Sequence, residues 1–401
     1  MTETIEFDFP PNRDAMCPIE PARYGEMGGH PKRVRFWDGS TPWLITRYQD
    51  VHDILADARA SSDPTIPGYP DFTAASAAAA EQRRTIVALD DPEHAVLRRM
   101  LIADFMPKRI EAMRPTVQAI VDSLIDDMLA GPQPADLVSA LALPVPSLVI
   151  CEVLGVPATE RERFQHLAGV TGATEATVTE VVAAHDELIA FLTDLTLEKA
   201  SSVPTGDLLS RLAHEQLTTG ALSANEIAKL AKVLLIAGHD TSAGMIGLGT
   251  VALLKNPDQL KIVRDSQDPR VVSSAVEELL RYLTIVHRGR RRVALEDIEL
   301  GGELIRAGEG MIVVLETANR DEQQFKNANV LDVQRDSHGH MAFGFGIHQC
   351  LGQSLARLEL EVVNSTLFRR IPTLALAVPY ESLPYRHDQF NYGVHCLPVT
   401  W

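Results

Sequence analysis

The chain has 401 residues, 45% hydrophobic and 23% charged, and a formal net charge of −17. That mix excludes an intrinsically disordered chain, and the acidic balance argues against binding nucleic acid or an anionic membrane through the whole surface. Four cysteines, Cys17, Cys151, Cys350 and Cys396, stand far apart with no Cys-x-x-Cys pair, which gives no disulfide framework and suits a reducing compartment.

Met1 to Pro11 is acidic and lacks the basic-then-apolar order of a signal peptide. No apolar run approaches the ~20 residues a membrane helix needs, so a soluble, cytoplasmic protein is expected. Val34 to Thr46 reads as a hairpin turning at Asp38-Gly39. Breaks follow at Asp63-Pro64 and Pro67-Gly68, and the Ala-rich stretch Asp71 to Ala88 suits loop or short helices equally. Past Pro92 helical patterns dominate as far as Asn256-Pro257. Ser223-Ala-Asn-Glu226 is a capping box, and apolar periodicity then runs to Lys255. This predicts a helix of more than about thirty residues, roughly 50 Å long, enough to cross a domain. Beyond Arg291 come short β-like runs with glycine turns: Ile298 to Gly302, Leu304-Ile305 and Met311 to Leu315. A last helix is expected from about Leu351 to Phe368, stopping before Pro372. The fold class is mainly α with a smaller β region, over about residues 34–46, 291–316 and 373–401, within one domain spanning 1–401.

The strongest local signal is Phe343-Gly-Phe-Gly-Ile-His-Gln-Cys-Leu-Gly352. A cysteine where a glycine-rich loop enters a helix gains from the helix dipole and from free N–H groups, both of which favour thiolate. Gly344, Gly346 and Gly352 let backbone bend or approach a flat ligand, and Phe343 and Phe345 supply apolar cover for a macrocycle. A buried structural cysteine is one alternative. A zinc site drawn from His338, His340, His348 and Cys350 is another, although glycine–aromatic alternation has no role in a zinc knot.

Three further motifs stand out. Ala237-Gly-His-Asp-Thr-Ser242 lies midway along the long helix. Gly238 would notch the helix wall, Thr241 offers a hydroxyl, and Asp240 a carboxylate able to pass protons; a solvated Asp and a back-bonded Thr are the plainer alternative. Glu278-Leu-Leu-Arg281 places opposite charges at i and i+3 of a helix. His94 and Arg98 share a helix face at i and i+4.

The Phe-x-x-Gly-x-x-x-Cys-x-Gly pattern, complete from Phe343 to Gly352, resembles the haem-binding loop of the cytochrome P-450 family. The resemblance runs from Trp43 to Trp401 and is strongest to soluble actinobacterial members. It implies a triangular helical body with haem b between the long central helix and the cysteine-loop helix. Cys350 would ligate iron, with Ala237, Gly238, Thr241, Phe343, Gly344 and Gly352 around the ring. His94, Arg98, Arg292 and His348 match the family's propionate positions. Asp240 and Thr241 match its acid–alcohol pair, and O2 would be co-substrate. Glu278 and Arg281 match its structural Glu-x-x-Arg signature. That signature's third, basic member aligns with Val330, which leaves the partner open.

The implied reaction is monooxygenation of a small, largely hydrophobic secondary metabolite or foreign compound. Arg98, Arg99, Lys108, Arg109, Arg114 and Arg357 would form a basic face for an acidic ferredoxin, itself served by a reductase. A monomer is expected. Substrate contacts are expected from Ile86, Val87, Val286, His287, Arg288 and Tyr392, with Gln165 to Glu187 as a lid. Nitric-oxide reduction on the same fold, or a haem sensor or carrier without turnover, are the alternatives; the intact acid–alcohol pair favours oxygen activation.

Overall fold

The structure, a computed structural model, describes residues 4–5, 29–172, 177–387 and 389–401. Cys17 and part of the expected lid, residues 173–176, lie outside the described residues.

The longest described helix, Ala224–Lys255, has 32 residues, and its start is the expected capping box. Ser223 Oγ accepts from the Glu226 N–H, and the Glu226 carboxylate accepts from the Ser223 N–H at 2.8 Å. Pro257, at the first position of the next helix, cannot continue the old one, so Asn256 ends it with φ −121° and ψ 72°. The apolar residues of Val138–Leu154, Leu188–Leu195 and Leu355–Phe368 share one large core with this helix.

The largest sheet among the described residues is mixed, in the order Thr4–Ile5, Lys32–Val34, Trp43–Ile45, Gly310–Val313, Arg290–Ala294, Ala60–Ser61, and Ala375–Leu376, Pro398–Thr400 and Ala135–Asp136 form a second. The hairpin of the largest sheet is the expected one, with Arg33 opposite Trp43 and Gly39 at φ 82° in the turn. Trp43, Ile45, Val51, Ile54, Met311 and Val313 form a second core beneath it. Ala60–Ser61 and Ala135–Asp136 are strands the sequence did not announce, because two residues carry no periodicity. The Asp71–Ala88 stretch contains two short helices, Ala74–Ala78 and Ala80–Arg83. The final helix runs Gln353–Arg370, shifted by two residues at each end from the expected Leu351–Phe368.

Candidate active site

The cysteine loop touches both cores, Phe343 packing against the helical one and Phe345 against the one beneath the sheet. The loop is closed by backbone hydrogen bonds from Gly344 to the Met341 carbonyl, from Gln349 to Gly346 and from Cys350 to Phe343, at 2.8, 3.0 and 2.9 Å. Gly346 has φ 73°, and a Cβ there would fall 2.3 Å from the Leu55 carbonyl oxygen, so only glycine fits. Phe345 packs on His52, with ring centroids 4.0 Å apart, and joins the sheet core. Its role is therefore anchorage, not the cover for a macrocycle expected from sequence. Phe343 lies half-buried at the edge of the helical core, with the Arg357 guanidinium 4.6 Å from its ring centre.

Burial pushes the Cys350 thiol up, and donation from the Gly352 N–H and the guanidinium groups of Arg290, Arg98 and Arg357 offset part of that rise. Those donors and cations are of the kind that favour a thiolate. Arg98 also donates to the Gln349 carbonyl at 2.7 Å, bracing the residue before the cysteine. Arg357 is itself fixed by Glu277 at 2.6 Å, and His340 reaches the same carboxylate at 3.1 Å. Burial would raise the Glu277 carboxyl, but these two partners outweigh it and hold it at about 2. With His340 on Glu277 and His338 exposed on Asp336, the histidines of the zinc alternative do not converge on Cys350.

The four expected propionate residues come together. The His94 and His348 rings lie 4.4 Å apart. Burial, followed by the cations Arg292, His94, Arg98 and Arg290, drives the His348 imidazole down to about 3. Its Nε2 is buried with no hydrogen-bond partner. Arg292 is 7% exposed and, among the described residues, donates only to the neighbouring Arg291 carbonyl. Burial lowers it to about 10. A buried guanidinium without a directly paired acid calls for an anion.

On the central helix, Ser242 through Leu253 are all buried, whereas Ile236 to Thr241 keep open surface. A Cβ on Gly238 would touch nothing within 4 Å. The Thr241 hydroxyl donates to the Ala237 carbonyl at 2.7 Å. Asp240 is not free, as the sequence suggested. Arg386 donates to one of its oxygens at 2.6 Å and Asn391 to the other at 2.9 Å. Both come from the C-terminal loop, which approaches closely because Gly244 has no side chain; a Cβ there would sit 3.0 Å from the Tyr392 carbonyl. Sequence reasoning missed Arg386 and Asn391, since nothing local links them to the helix.

Glu359 was missed too. It is 2% exposed on the cysteine-loop helix and hydrogen-bonds with Ser242, next to Thr241. Burial raises its carboxyl to about 8, so it is a neutral acid at pH 7.

Glu278 and Arg281 form a fully buried bidentate pair at 2.8 Å. The open third partner is Arg335, 3.2 Å from Glu278 Oε1, which also donates to the Val330 carbonyl. Ser337 and the Asp332 N–H complete the carboxylate's shell. The aligned position, Val330, takes part only through its backbone.

The expected substrate residues are placed less favourably. Ile86, Val286, His287 and Tyr392 are between 0% and 8% exposed, so they pack in the protein instead of lining open space. His287 is hydrogen-bonded to the Gln389 carbonyl at 2.7 Å. Val87 is 62% exposed, and Arg288 is partly so.

A haem fits these residues. Cβ atoms on Gly238, Gly344 and Gly352 would all enter open space, His348 Nε2 is orphaned, and among the described residues Arg98 and Arg292 pair with no acid. Comparison with known proteins agrees. The family description "cytochrome P-450" matches residues 163–372. Cytochrome P-450 CYP105Q4 of Mycobacterium marinum is 51% identical over 400 residues, covering 98% of this chain and 96% of that protein. Pentalenic acid synthase of Streptomyces avermitilis is 43% identical, covering 97% and 96%. The crystal structure of GfsF superposes with a TM-score of 0.93 at 46% identity, covering 98% and 100%. The chain belongs to the cytochrome P-450 family of haem-thiolate monooxygenases.

Proposed function

We propose that this protein uses haem b to hydroxylate or epoxidise a small, largely hydrophobic molecule, with electrons from a separate ferredoxin and its reductase. The observation that carries the reading is the cysteine loop, closed by its own backbone hydrogen bonds and braced by Arg98 at Gln349, in a fold whose central helix opens at Gly238 and Thr241. When bound, haem supplies the oxidising chemistry. One atom of O2 enters a C–H or C=C bond, and the other leaves as water with two electrons and two protons.

The chain's own residues bind, orient and manage protons. Cys350 would ligate iron; His94, Arg98, Arg292 and His348 would hold the propionates; Ala237, Phe343, Gly344 and Gly352 would flank the ring. The Thr241 hydroxyl spends its proton on the Ala237 carbonyl, which leaves its lone pairs as an acceptor. Asp240 precedes it, held by Arg386 and Asn391, and delivers protons when that hold loosens.

Electron entry is proposed on a smaller face than the sequence suggested. Arg109 pairs with Asp104, Arg114 with Glu111 and Glu361, and Arg357 with Glu277. Arg98 turns inward. Arg99 and Lys108 stay exposed, on the same stretch as exposed Ile102 and Met106. No described helix is long and apolar enough to cross a membrane, and a cytoplasmic monomer is proposed.

The reduced, CO-bound protein should show a thiolate-type absorption band that Cys350→Ser abolishes; its absence in the native protein sinks the reading. Thr241→Ala should consume electrons without matching product. A fully coupled variant would overturn the role given to Thr241.

A further inference from the structure

Strand Arg290–Ala294 carries three consecutive arginines, and pleating sends neighbours to opposite faces. Arg291 faces away from the site. It pairs with Asp71 at 2.9 Å and lies over the rings of Tyr69 and Phe72, 5.2 and 4.7 Å from their centres. It is a satisfied structural cation. Arg290 and Arg292 share the other face, and both act electrostatically on His348.

The charges on that face do not balance. Arg98, Arg290 and Arg292 are fixed cations, and all three act on the neutral imidazole of His348. The acids nearby have other direct partners than the arginines: Asp91 contacts His94 at 3.2 Å, and Asp90 accepts from Ser61 and from the Ser62 N–H, reaching Arg292 only through space. The two propionates of a haem match the guanidinium groups of Arg98 and Arg292. Arg290 is left over. Among the described residues it has no ion pair and no hydrogen bond. Its guanidinium instead lies 5.8 Å from the centre of the Phe390 ring, which is 38% exposed. The next residue, Asn391, holds Asp240. Arg290 therefore stands between the propionate cations and the loop that reaches the acid–alcohol pair.

We propose that Arg290 is a substrate-anchoring residue and that the preferred substrates are hydrophobic molecules bearing a carboxylate. A guanidinium without an acid, beside an aromatic ring, is suited to bidentate capture of a carboxylate. The anion would sit near Phe390 while the hydrocarbon body extends toward Gly238 and Thr241. Oxidation would then fall on carbons remote from the carboxylate. This inference rests on the monooxygenase reading and names the substrate class of the same site.

The test is a spectral-shift titration of the ferric holoenzyme with straight-chain alkanoic acids of ten to sixteen carbons and with their methyl esters. A charge-assisted contact should make the preferred acid bind about tenfold or more tightly than its ester. Arg290→Gln should erase that preference while leaving ester affinity unchanged, and Arg290→Lys should restore part of it. Should no acid bind more tightly than its ester, the proposal fails. It fails equally if Arg290→Gln keeps the preference and loses haem, which would make Arg290 a propionate ligand. A normal thiolate CO band alongside either failure leaves the monooxygenase reading standing; loss of that band defeats the reading itself.

Discussion

The Asp240 carboxylate is clamped by Arg386, whose Nη1 lies 2.6 Å from Oδ1. The acid of the acid–alcohol pair is thus tied to the C-terminal loop, more than a hundred residues away in sequence. Arg386 is 9% exposed and its backbone N–H is fixed to the Gly393 carbonyl, so the clamp is built into the fold.

Asp240→Asn keeps the shape of the clamp and removes the charge. Turnover should fall by roughly 10²-fold, with the CO spectrum unchanged. Arg386→Leu should cost about 1–2 kcal/mol of stability and lower product formed per electron pair, because it frees Asp240 and loosens the loop. Thermal unfolding together with a product-to-electron ratio reads both effects. Full coupling in Arg386→Leu would show that the clamp plays no part in proton control.

Glu359 makes stability depend on pH. Its carboxyl is raised from 4.5 to about 8 by burial. Where a folded value exceeds the unfolded one, the contribution is fully present below 4.5 and is lost as pH rises toward 8. Glu359→Gln stays neutral throughout. The variant should therefore unfold a few degrees higher than the native protein at pH 8, and the gap should close near pH 4.5. Parallel melting curves at the two pH values would rule this out.

The Glu278, Arg281 and Arg335 cluster predicts an order of damage. Arg281→Met leaves a fully buried carboxylate with its bidentate partner gone and should cost about 3–5 kcal/mol. Arg335→Met removes a longer, partly exposed contact and should cost roughly 1–3 kcal/mol. Denaturant titration of the two variants gives the comparison; equal losses would mean that Arg335 shares the load fully.

Arg98 and Arg292 have different partners. Arg292 makes no contact with the cysteine loop among its hydrogen bonds, whereas Arg98 supports Gln349. Arg292→Leu should weaken haem retention by about tenfold or more with the thiolate band unmoved. Arg98→Leu should weaken retention and also disturb that band. The haem-to-protein absorbance ratio and the CO spectrum separate the two cases.

What the sequence determined by itself was local. The Ser223–Glu226 box, the Asn256-Pro257 stop and the glycine spacing around Cys350 each act within a few residues, where chain geometry alone fixes the outcome. The charge pair Glu278–Arg281 was legible for the same reason, as i and i+3 on one helix. Tertiary structure decided the rest. Arg335 replaced the aligned Val330 because a loop, with no periodicity to read, chose which side chain reached Glu278. Arg386 and Asn391 found Asp240 across the fold, and Glu359 became a neutral acid only through burial against Ser242. His287 and Tyr392 turned from expected pocket residues into packed ones. Partners, burial and therefore proton affinities depend on which distant segments share a space, and that is settled by packing, not by spacing along the chain.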